Sequence, residues 1–169
     1  KREAAAQIAA TATLPELVTL HQGDFNEVLA DLPDDSVDLI FTDPPYNDEI
    51  APLYEQLAAH ASRILKPAGS LITYVGQNIL REAMNHMDGY LRYWWILCAH
   101  HQGGAARLPG KYVIVEWKPL LWYVRDRRRT DAEYLVDFVE FGREPGGLQT
   151  MHDWQQQEAP ARFAIEKLT

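Results

Sequence analysis

The residues best suited to chemistry form one short turn after an apolar run. They are Asp43, Pro44, Pro45 and Tyr46, and the run before them is Val37–Thr42. Each proline fixes its own backbone and removes an N–H donor, which leaves the carbonyl oxygens of a stiff turn as acceptors. A carboxylate beside such carbonyls suits an NH2 group, which has two protons to donate. The ring of Tyr46 offers a flat face for stacking, so the turn predicts a catalytic receptor for the exocyclic amine of a nucleobase.

A base inside a duplex cannot present its amine to this turn, so it would first have to leave the helix stack. The alternative, non-functional interpretation is a rigid turn that exposes an aspartate and binds nothing. The turn follows a run that is apolar almost throughout, as expected of a strand buried on both faces. That position favours the functional interpretation.

Two further pairs of residues are candidate substrate contacts. Gly76 and Gln77 follow a second apolar run, where they either contact the base or the cofactor or cap the next helix. Arg127 and Arg128 belong to the one dense basic run, which either contacts phosphates or forms a solvated turn after a strand. The net charge of −8 argues against a general nucleic-acid binder but allows a local basic surface.

The rest of the sequence predicts neither a metal site nor a membrane-spanning helix. His100, His101 and His152 come without cysteines or acidic residues at ligand spacing. The single cysteine, Cys98, cannot form an internal disulfide, which suits a reducing compartment, and we predict a cytoplasmic protein. An uninterrupted apolar run of roughly 18 residues, which a spanning helix needs, does not occur.

Hydrophobic periodicity predicts alternating strands and helices at the start of the chain. Strands are expected at Leu17–His21, Val37–Thr42, Ser70–Val75, Leu91–His100, Tyr112–Trp117 and Leu120–Arg125. Helices are expected from Asp24 to Leu32 and at Ile50–Leu65, Asn78–Met87 and Ala159–Leu168, with a loop at Gln102–Gly110. This order predicts an α/β fold with a doubly wound, mostly parallel sheet and an antiparallel strand at one end. Ligands of such sheets bind at the carboxyl ends of the strands.

Several stretches resemble the opening of the DNA amino-methyltransferases that act on adenine N6 or cytosine N4. They are Gln22-Gly23-Asp24, Leu32-Pro33 and Ser36–Ile40, which run into Asp43-Pro44-Pro45-Tyr46-Asn47. Leu65–Ser70 is similar to the Leu-Lys-Pro-Gly-Gly element of that family. The order resembles the group with permuted, beta-type motifs, and Asn47 resembles its adenine-specific members. Weaker similarity runs through Trp117-Lys118-Pro119 and His152–Gln157.

The resemblance implies a Rossmann-like enzyme that passes a methyl group directly from S-adenosylmethionine to the amine of a flipped base in double-stranded DNA. Adenine N6 is expected ahead of cytosine N4. The implied cofactor contacts are Asp24, Asp43, His152 and Gln155. The implied substrate contacts are Tyr46 and Asn47, together with Gly76, Gln77, Arg127 and Arg128.

A fold of this kind needs a glycine-rich turn after its first strand, where the backbone approaches the cofactor. The paired glycines here, Gly103-Gly104 and Gly146-Gly147, lie in predicted loops. In the permuted order the glycine turn follows the methyl-transfer motif, so we expect an incomplete fold that lacks a further strand-helix segment of about 60 residues. Val37–Thr42 is then expected to be a bare edge, or to pair with Leu17–His21 or another chain.

The expected organisation is a leader or helix at residues 1–16 and a methyltransferase catalytic domain at residues 17–169. Two other functions stay open. One is N-methylation of RNA or of protein glutamine, whose families usually place the glycine turn before the motif. The other is a non-catalytic nucleic-acid-binding module descended from a methyltransferase. The oligomeric state stays open as well, a dimer included.

Overall fold

The computed structural model describes residues 18–45, 51–102, 105–128, 133–142 and 158–168. The expected leader, residues 1–16, lies outside them. Four helices and seven strands occur within these ranges. No helix of the described part is long and apolar enough to cross a membrane.

The helices are close to those expected from periodicity. They are α1 (Phe25–Ala30), α2 (Ala51–Ile64), α3 (Leu80–Met87) and α4 (Ala159–Leu168). Asp24 caps α1, since its side chain accepts a hydrogen bond from the backbone N–H of Asn26 at 2.8 Å. The predicted cap is therefore confirmed, and the helix ends two residues before the expected Leu32.

Five strands form one mixed sheet, and two others form a separate hairpin. The strands are β1 (Val37–Thr42), β2 (Leu65–Tyr74), β3 (Arg92–His101), β4 (Ala106–Leu108), β5 (Val113–Val115), β6 (Trp117–Val124) and β7 (Phe138–Phe141). The large sheet has the order β1-β2-β6-β3-β7, and β4 pairs with β5. β1 runs parallel to β2 and β3 parallel to β7, whereas β6 is antiparallel to both of its neighbours.

The position of β6 corrects the expected topology. An antiparallel strand was expected at one end of the sheet, but β6 lies between β2 and β3. Its side chains from Pro119 to Val124 are all buried, which is why a central position suits it. Pro119 lies one residue outside the β2–β6 ladder, whose last pair is Tyr74 with Leu120, so β2 needs no N–H from it. Its carbonyl still accepts a hydrogen bond from the N–H of Val75 at 3.2 Å. The loop expected at Gln102–Gly110 also contains a strand, β4.

One sheet edge is open, as the sequence predicts. In the described part of the chain β1 pairs with β2 alone. The expected strand Leu17–His21 is wrong for residues 18–21, which have no regular structure. Val18 is 45% exposed and Leu20 is 74% exposed, so no burial compensates for ordering them as a strand.

Helices cover both faces of the sheet, which confirms the expected α/β layering. On one face α2 and α3 pack over a cluster that includes Tyr54, Leu57, Leu71, Ala83 and Tyr123. On the other face α4 packs over a cluster that includes Ile72, Tyr74, Leu120, Trp122 and Leu168. β2 and β6 contribute to both clusters, because successive side chains on a strand point to opposite faces.

A bulge sets the register between β1 and β2. Val37 pairs with Leu65 but Leu39 pairs with Ser70, so β2 holds extra residues between the two pairs. Ala68 adopts a left-handed φ of 68° there. Gly69 is required beside it, because a Cβ at this position would lie 2.9 Å from the carbonyl oxygen of Lys66.

Arg63 joins α2 to the segment that leads into β1. Its guanidinium donates to the carbonyls of Leu29 and Leu32 at 2.6 Å each, and to the carboxylate of Asp34 at 2.7 Å. Two of these acceptors lie at or just beyond the end of α1, where helix carbonyls lack partners within the helix. Arg63 thereby fixes the chain just before the strand that carries the candidate site.

We expect Arg63→Met to lower the free energy of unfolding by about 1.5–3 kcal/mol, because it removes charge-assisted hydrogen bonds from partly buried carbonyls. The matched control is Lys66→Met, which removes an exposed ion pair between Lys66 and Asp38. That change should cost at most about 1 kcal/mol. Urea unfolding measures both, and equal losses in the two variants would contradict the role given to Arg63.

Candidate active site

The turn after β1 presents Asp43 at the edge of the sheet where β1 and β2 end. Asp43 is half-buried, Pro44 is buried and Pro45 is exposed. β1 and β2 are parallel, with Thr42 beside Thr73, so the carboxyl ends of both strands meet at this edge. The buried proline holds the backbone, while part of the aspartate surface stays open to a ligand.

Two buried tyrosines lie near Asp43. The hydroxyl of Tyr54, on α2, donates to the backbone carbonyl of Tyr74, at the end of β2, over 3.2 Å. Burial raises the pKa of both tyrosines above its ordinary value, and the negative charge of Asp43 raises each pKa further. Both hydroxyls therefore stay protonated above the pH at which an ordinary tyrosine ionises.

A cation reaches the same place from the start of β6. The Lys118 ammonium lies 5.6 Å from the centre of the Tyr74 ring. Phe41 packs edge-on against the same ring, with 6.0 Å between ring centres. The Tyr74 ring is thus fixed between an apolar neighbour and a positive charge.

The turn after β2 contributes Gly76 and Gln77, both half-buried. The Gln77 amide donates to the carbonyl of Trp117 over 3.2 Å, which ties this turn to the start of β6. The N-cap position of α3 is occupied by Ile79, whose N–H bonds to the carbonyl of Gly76. Gly76 and Gln77 therefore form a turn before the helix rather than its cap, beside the Asp43 turn.

An apolar cleft of about 370 Å³ opens next to the two prolines. Its walls come from α1, the open edge of β1, the proline turn and α2, and include Phe25, Ile40, Pro44, Pro45 and Leu53. A cleft of this kind suits an apolar or flat group, and both sequence neighbours of Asp43 line it, although Asp43 itself does not.

The structure does not bring the predicted arginines to this edge. β6 is antiparallel to β2 and pairs Val124 with Ser70, so the residues after it lie at the opposite ends of the strands from Asp43. Arg127 is exposed there. Arg128 lies 4.7 Å from the centre of the Trp122 ring and donates to the carbonyl of Lys167 over 3.2 Å. Burial lowers the pKa of Arg128, as expected of a side chain packed into the fold. A phosphate contact beside Asp43 is therefore a wrong expectation for this pair.

Other predicted site residues lie elsewhere or outside the described ranges. The Asp24 side chain caps α1, and the next residue, Phe25, lines the apolar cleft. Tyr46, Asn47, His152 and Gln155 fall outside the described residues, so their assigned contacts stay predictions.

Three residues of this edge were missed by sequence reasoning. Tyr54 was assigned only to an apolar helix face, Tyr74 only to a strand and Lys118 only to a weak similarity. The sequence gives no signal for this grouping, because Lys118 reaches this edge only through the position of β6 beside β2, where the start of β6 lies next to the end of β2.

Comparison with known proteins gives one partial sequence match. No family model matches the chain. A Type II methyltransferase of Bacillus subtilis, M.BglII, is 38% identical over 68 residues, which cover 34% of this chain and 19% of that protein. The match thus spans about a fifth of the curated relative.

Two solved structures share most of the fold. M1.HpyAVI in its complex with SAM gives a TM-score of 0.67 at 20% identity, covering 88% of this chain and 76% of the other. PvuII DNA methyltransferase, which is cytosine-N4-specific, gives a TM-score of 0.69 at 15% identity, covering 88% of this chain and 69% of the other. The chain therefore has an α/β fold shared with these proteins over part of their length. With the sequence match, this confirms the resemblance to DNA amino-methyltransferases.

The raised pKa of the buried tyrosines predicts how the protein responds to alkali. An unfolded tyrosine ionises near pH 10, whereas Tyr54 and Tyr74 in the fold stay protonated beyond that pH. Their contribution to stability is complete below about pH 10 and is lost as the pH rises above it, since the unfolded state then releases protons that the fold retains.

We therefore expect Tyr54→Phe to leave the tyrosinate absorbance of the folded protein unchanged, and to reduce only the increase that accompanies alkaline unfolding. When both proteins are unfolded in urea, the variant should have one fewer tyrosine that ionises near pH 10 than the wild type. If the variant had less tyrosinate absorbance than the wild type at pH values where both are folded, Tyr54 would ionise as an exposed tyrosine does, which would contradict the prediction.

Proposed function

We propose that this chain is the catalytic part of a DNA amino-methyltransferase. It would transfer a methyl group from S-adenosylmethionine to the exocyclic amine of a base, with adenine N6 ahead of cytosine N4. The observation that carries the proposal is the half-buried Asp43 in a proline-stiffened turn at the carboxyl end of β1, whose two prolines line an open apolar cleft. The chain matches only part of the length of its relatives, so the activity is proposed for the whole protein. We place that protein in the cytoplasm.

Asp43 would bind and orient the amine. Its carboxylate accepts one N–H of the NH2 group and the backbone carbonyl of Pro44 accepts the other, which directs the nitrogen lone pair away from the ring. Tyr46 would hold the flipped base by stacking, with Asn47, Gly76 and Gln77 along its edge. Holding both reactants in line converts a bimolecular reaction into an effectively unimolecular one, and this positioning supplies much of the rate gain.

The two tyrosines near Asp43 add no negative charge to the site. Tyr54 and Tyr74 are neutral, so no second negative charge develops beside the carboxylate. Positive charge grows on the amine nitrogen as the new bond forms, and a fixed carboxylate stabilises that charge most strongly where water is excluded. As the N–C bond forms, the bond between the methyl carbon and the sulfonium sulfur would break and leave a neutral thioether, S-adenosylhomocysteine. The methylated amine would then lose its proton to Asp43 or to solvent.

The methyl donor fits this edge in part. S-adenosylmethionine supplies the methyl group as a positively charged sulfonium, which the Asp43 carboxylate favours. The apolar cleft lined by Phe25, Ile40 and Leu53 suits the uncharged part of such a molecule. Asp24, His152 and Gln155 are the further contacts that the family resemblance suggests.

A specific observation supports each choice of base. Asn47 after the proline turn resembles adenine-specific enzymes. The fold similarity to PvuII DNA methyltransferase, which is cytosine-N4-specific, favours cytosine. Both bases present an exocyclic NH2, so the same turn serves either one, and we propose adenine on the strength of the residues next to the reaction centre.

We expect Asp43→Ala in the complete gene product to lower methyl transfer to unmethylated DNA by at least about 100-fold, because the amine loses its charged acceptor. The matched control is Asp38→Ala, which removes an exposed carboxylate from the same strand, where Asp38 pairs with Lys66. Circular dichroism should show both variants folded. Full turnover by folded Asp43→Ala protein would refute the assignment.

Residues 1–169 alone should bind S-adenosylmethionine weakly, because the sequence contains no glycine-rich turn between a predicted strand and the helix after it, where the backbone could approach the cofactor. Isothermal titration calorimetry of a polypeptide of this length tests the expectation. Micromolar affinity would show that the cleft beside β1 and its neighbours suffice for binding.

A further inference from the structure

We infer that the hairpin β4–β5, residues 105–115, is a DNA-contacting arm in which Arg107 and Lys111 bind backbone phosphates and Tyr112 stacks within the duplex. The inference deepens the proposed function, on which it rests. It is carried by the position, charge and exposed apolar side chains of a segment that the sequence led us to expect as a loop.

The hairpin is attached to the same edge of the sheet as Asp43. It connects the end of β3 to the start of β6, and His100 of β3 pairs with Trp117 of β6. β6 begins beside the end of β2, where Leu120 pairs with Tyr74. The Gln77 side chain bonds to the carbonyl of Trp117, so the turn after β2 directly contacts the base of the hairpin.

The charge of the hairpin is opposite to that of the chain. The protein carries a net charge of −8, yet residues 105–115 contain no Asp or Glu and include Arg107 and Lys111, with the exposed Glu116 following just before β6. Both cations are exposed. A local positive surface on an acidic protein suits a polyanion, and phosphates beside the target base are the polyanion that the neighbouring site requires.

The hairpin also exposes apolar side chains that the fold does not use. Tyr112 is 96% exposed and Ile114 is 59% exposed, with Val113 and Leu108 also on the surface. Within the described ranges, β4 and β5 pair with each other and with no strand of the large sheet. A two-stranded hairpin is marginal by itself, and exposed apolar groups next to cations are typical of a surface that packs against a partner.

Tyr112 occupies the last position of the turn. Leu108 pairs with Val113, and the N–H of Lys111 bonds to the carbonyl of Leu108, so the turn is closed. Tyr112 has a φ of 56°, in the left-handed region that side chains with a Cβ rarely adopt. A flat ring held outward at a hairpin tip can stack on bases or fill the space left by an extruded one, as wedge residues do.

The experiment uses the complete gene product and a fluorescein-labelled 30-bp duplex of mixed sequence, read by anisotropy over a range of salt. We expect Arg107→Ala/Lys111→Ala to weaken binding and to reduce the slope of log K against log salt by about 1.8, since each lost phosphate contact removes about 0.9. The matched control, Lys66→Ala/Arg92→Ala, removes two cations at the starts of β2 and β3, at the opposite edge of the sheet. It should leave the slope unchanged. Equal slopes for wild type and the hairpin variant would overturn the phosphate contacts.

A second duplex with one central mismatch tests Tyr112. Unstacking is easier at a mismatch, so a wedge should make the wild type prefer this duplex over the matched one. Tyr112→Ala should abolish the preference without changing the salt slope, and Tyr112→Phe should retain it. A preference that survives in Tyr112→Ala would refute the stacking role.

Methyl transfer by the wild type, measured on the same preparations, separates the two proposals. A wild type that methylates DNA while the hairpin variants bind and methylate as it does would overturn the hairpin alone. Loss of binding in the hairpin variants of a protein that methylates no DNA would overturn the methyltransferase function and support the arm.

Discussion

The parallel pairing of β1 with β2 is the constraint on which the candidate site depends. It brings the carboxyl ends of two strands to one edge, so the turns that hold Asp43 and Gln77 become neighbours although 34 residues separate them in sequence. The bulge around Ala68 and Gly69 sets the register of that pairing. The hydrogen bond from Tyr54 to the carbonyl of Tyr74 then holds α2 against the end of β2.

The antiparallel strand β6 adds what two parallel strands cannot. Because it begins where β2 ends, its first residues bring Lys118 to the Tyr74 ring and the carbonyl of Trp117 to Gln77. It also requires the chain to leave the end of β3 and re-enter at the same edge, and that excursion is the basic hairpin. The Lys118 contact, the Gln77 contact and the position of the hairpin thus follow from one feature of the topology.

Periodicity and motifs predicted the parts of this protein that are local in sequence. α2, α4 and β1 were found because their burial depends on spacing along their own residues, and the proline turn because its chemistry is contiguous. The place of β6 could not be predicted, since strand order depends on which apolar face the remaining chain can cover. Residues 18–21 alternate as a strand does, yet they stay exposed without regular structure although the edge of β1 is open in the described part of the chain. Arg128 looked like a phosphate ligand, yet it packs on Trp122, a residue that sequence spacing alone did not pair with it.

The identity of the methylated atom tests the central claim most directly. The complete gene product would be incubated with labelled S-adenosylmethionine, unmethylated DNA, RNA and bulk protein, and the labelled product digested and identified by mass spectrometry. A carboxylate that receives an NH2 group predicts label on the exocyclic nitrogen of a DNA base, as N6-methyladenine or, for the second candidate, N4-methylcytosine. Label at a ring carbon of cytosine, or in RNA or protein glutamine with the DNA unlabelled, would contradict it.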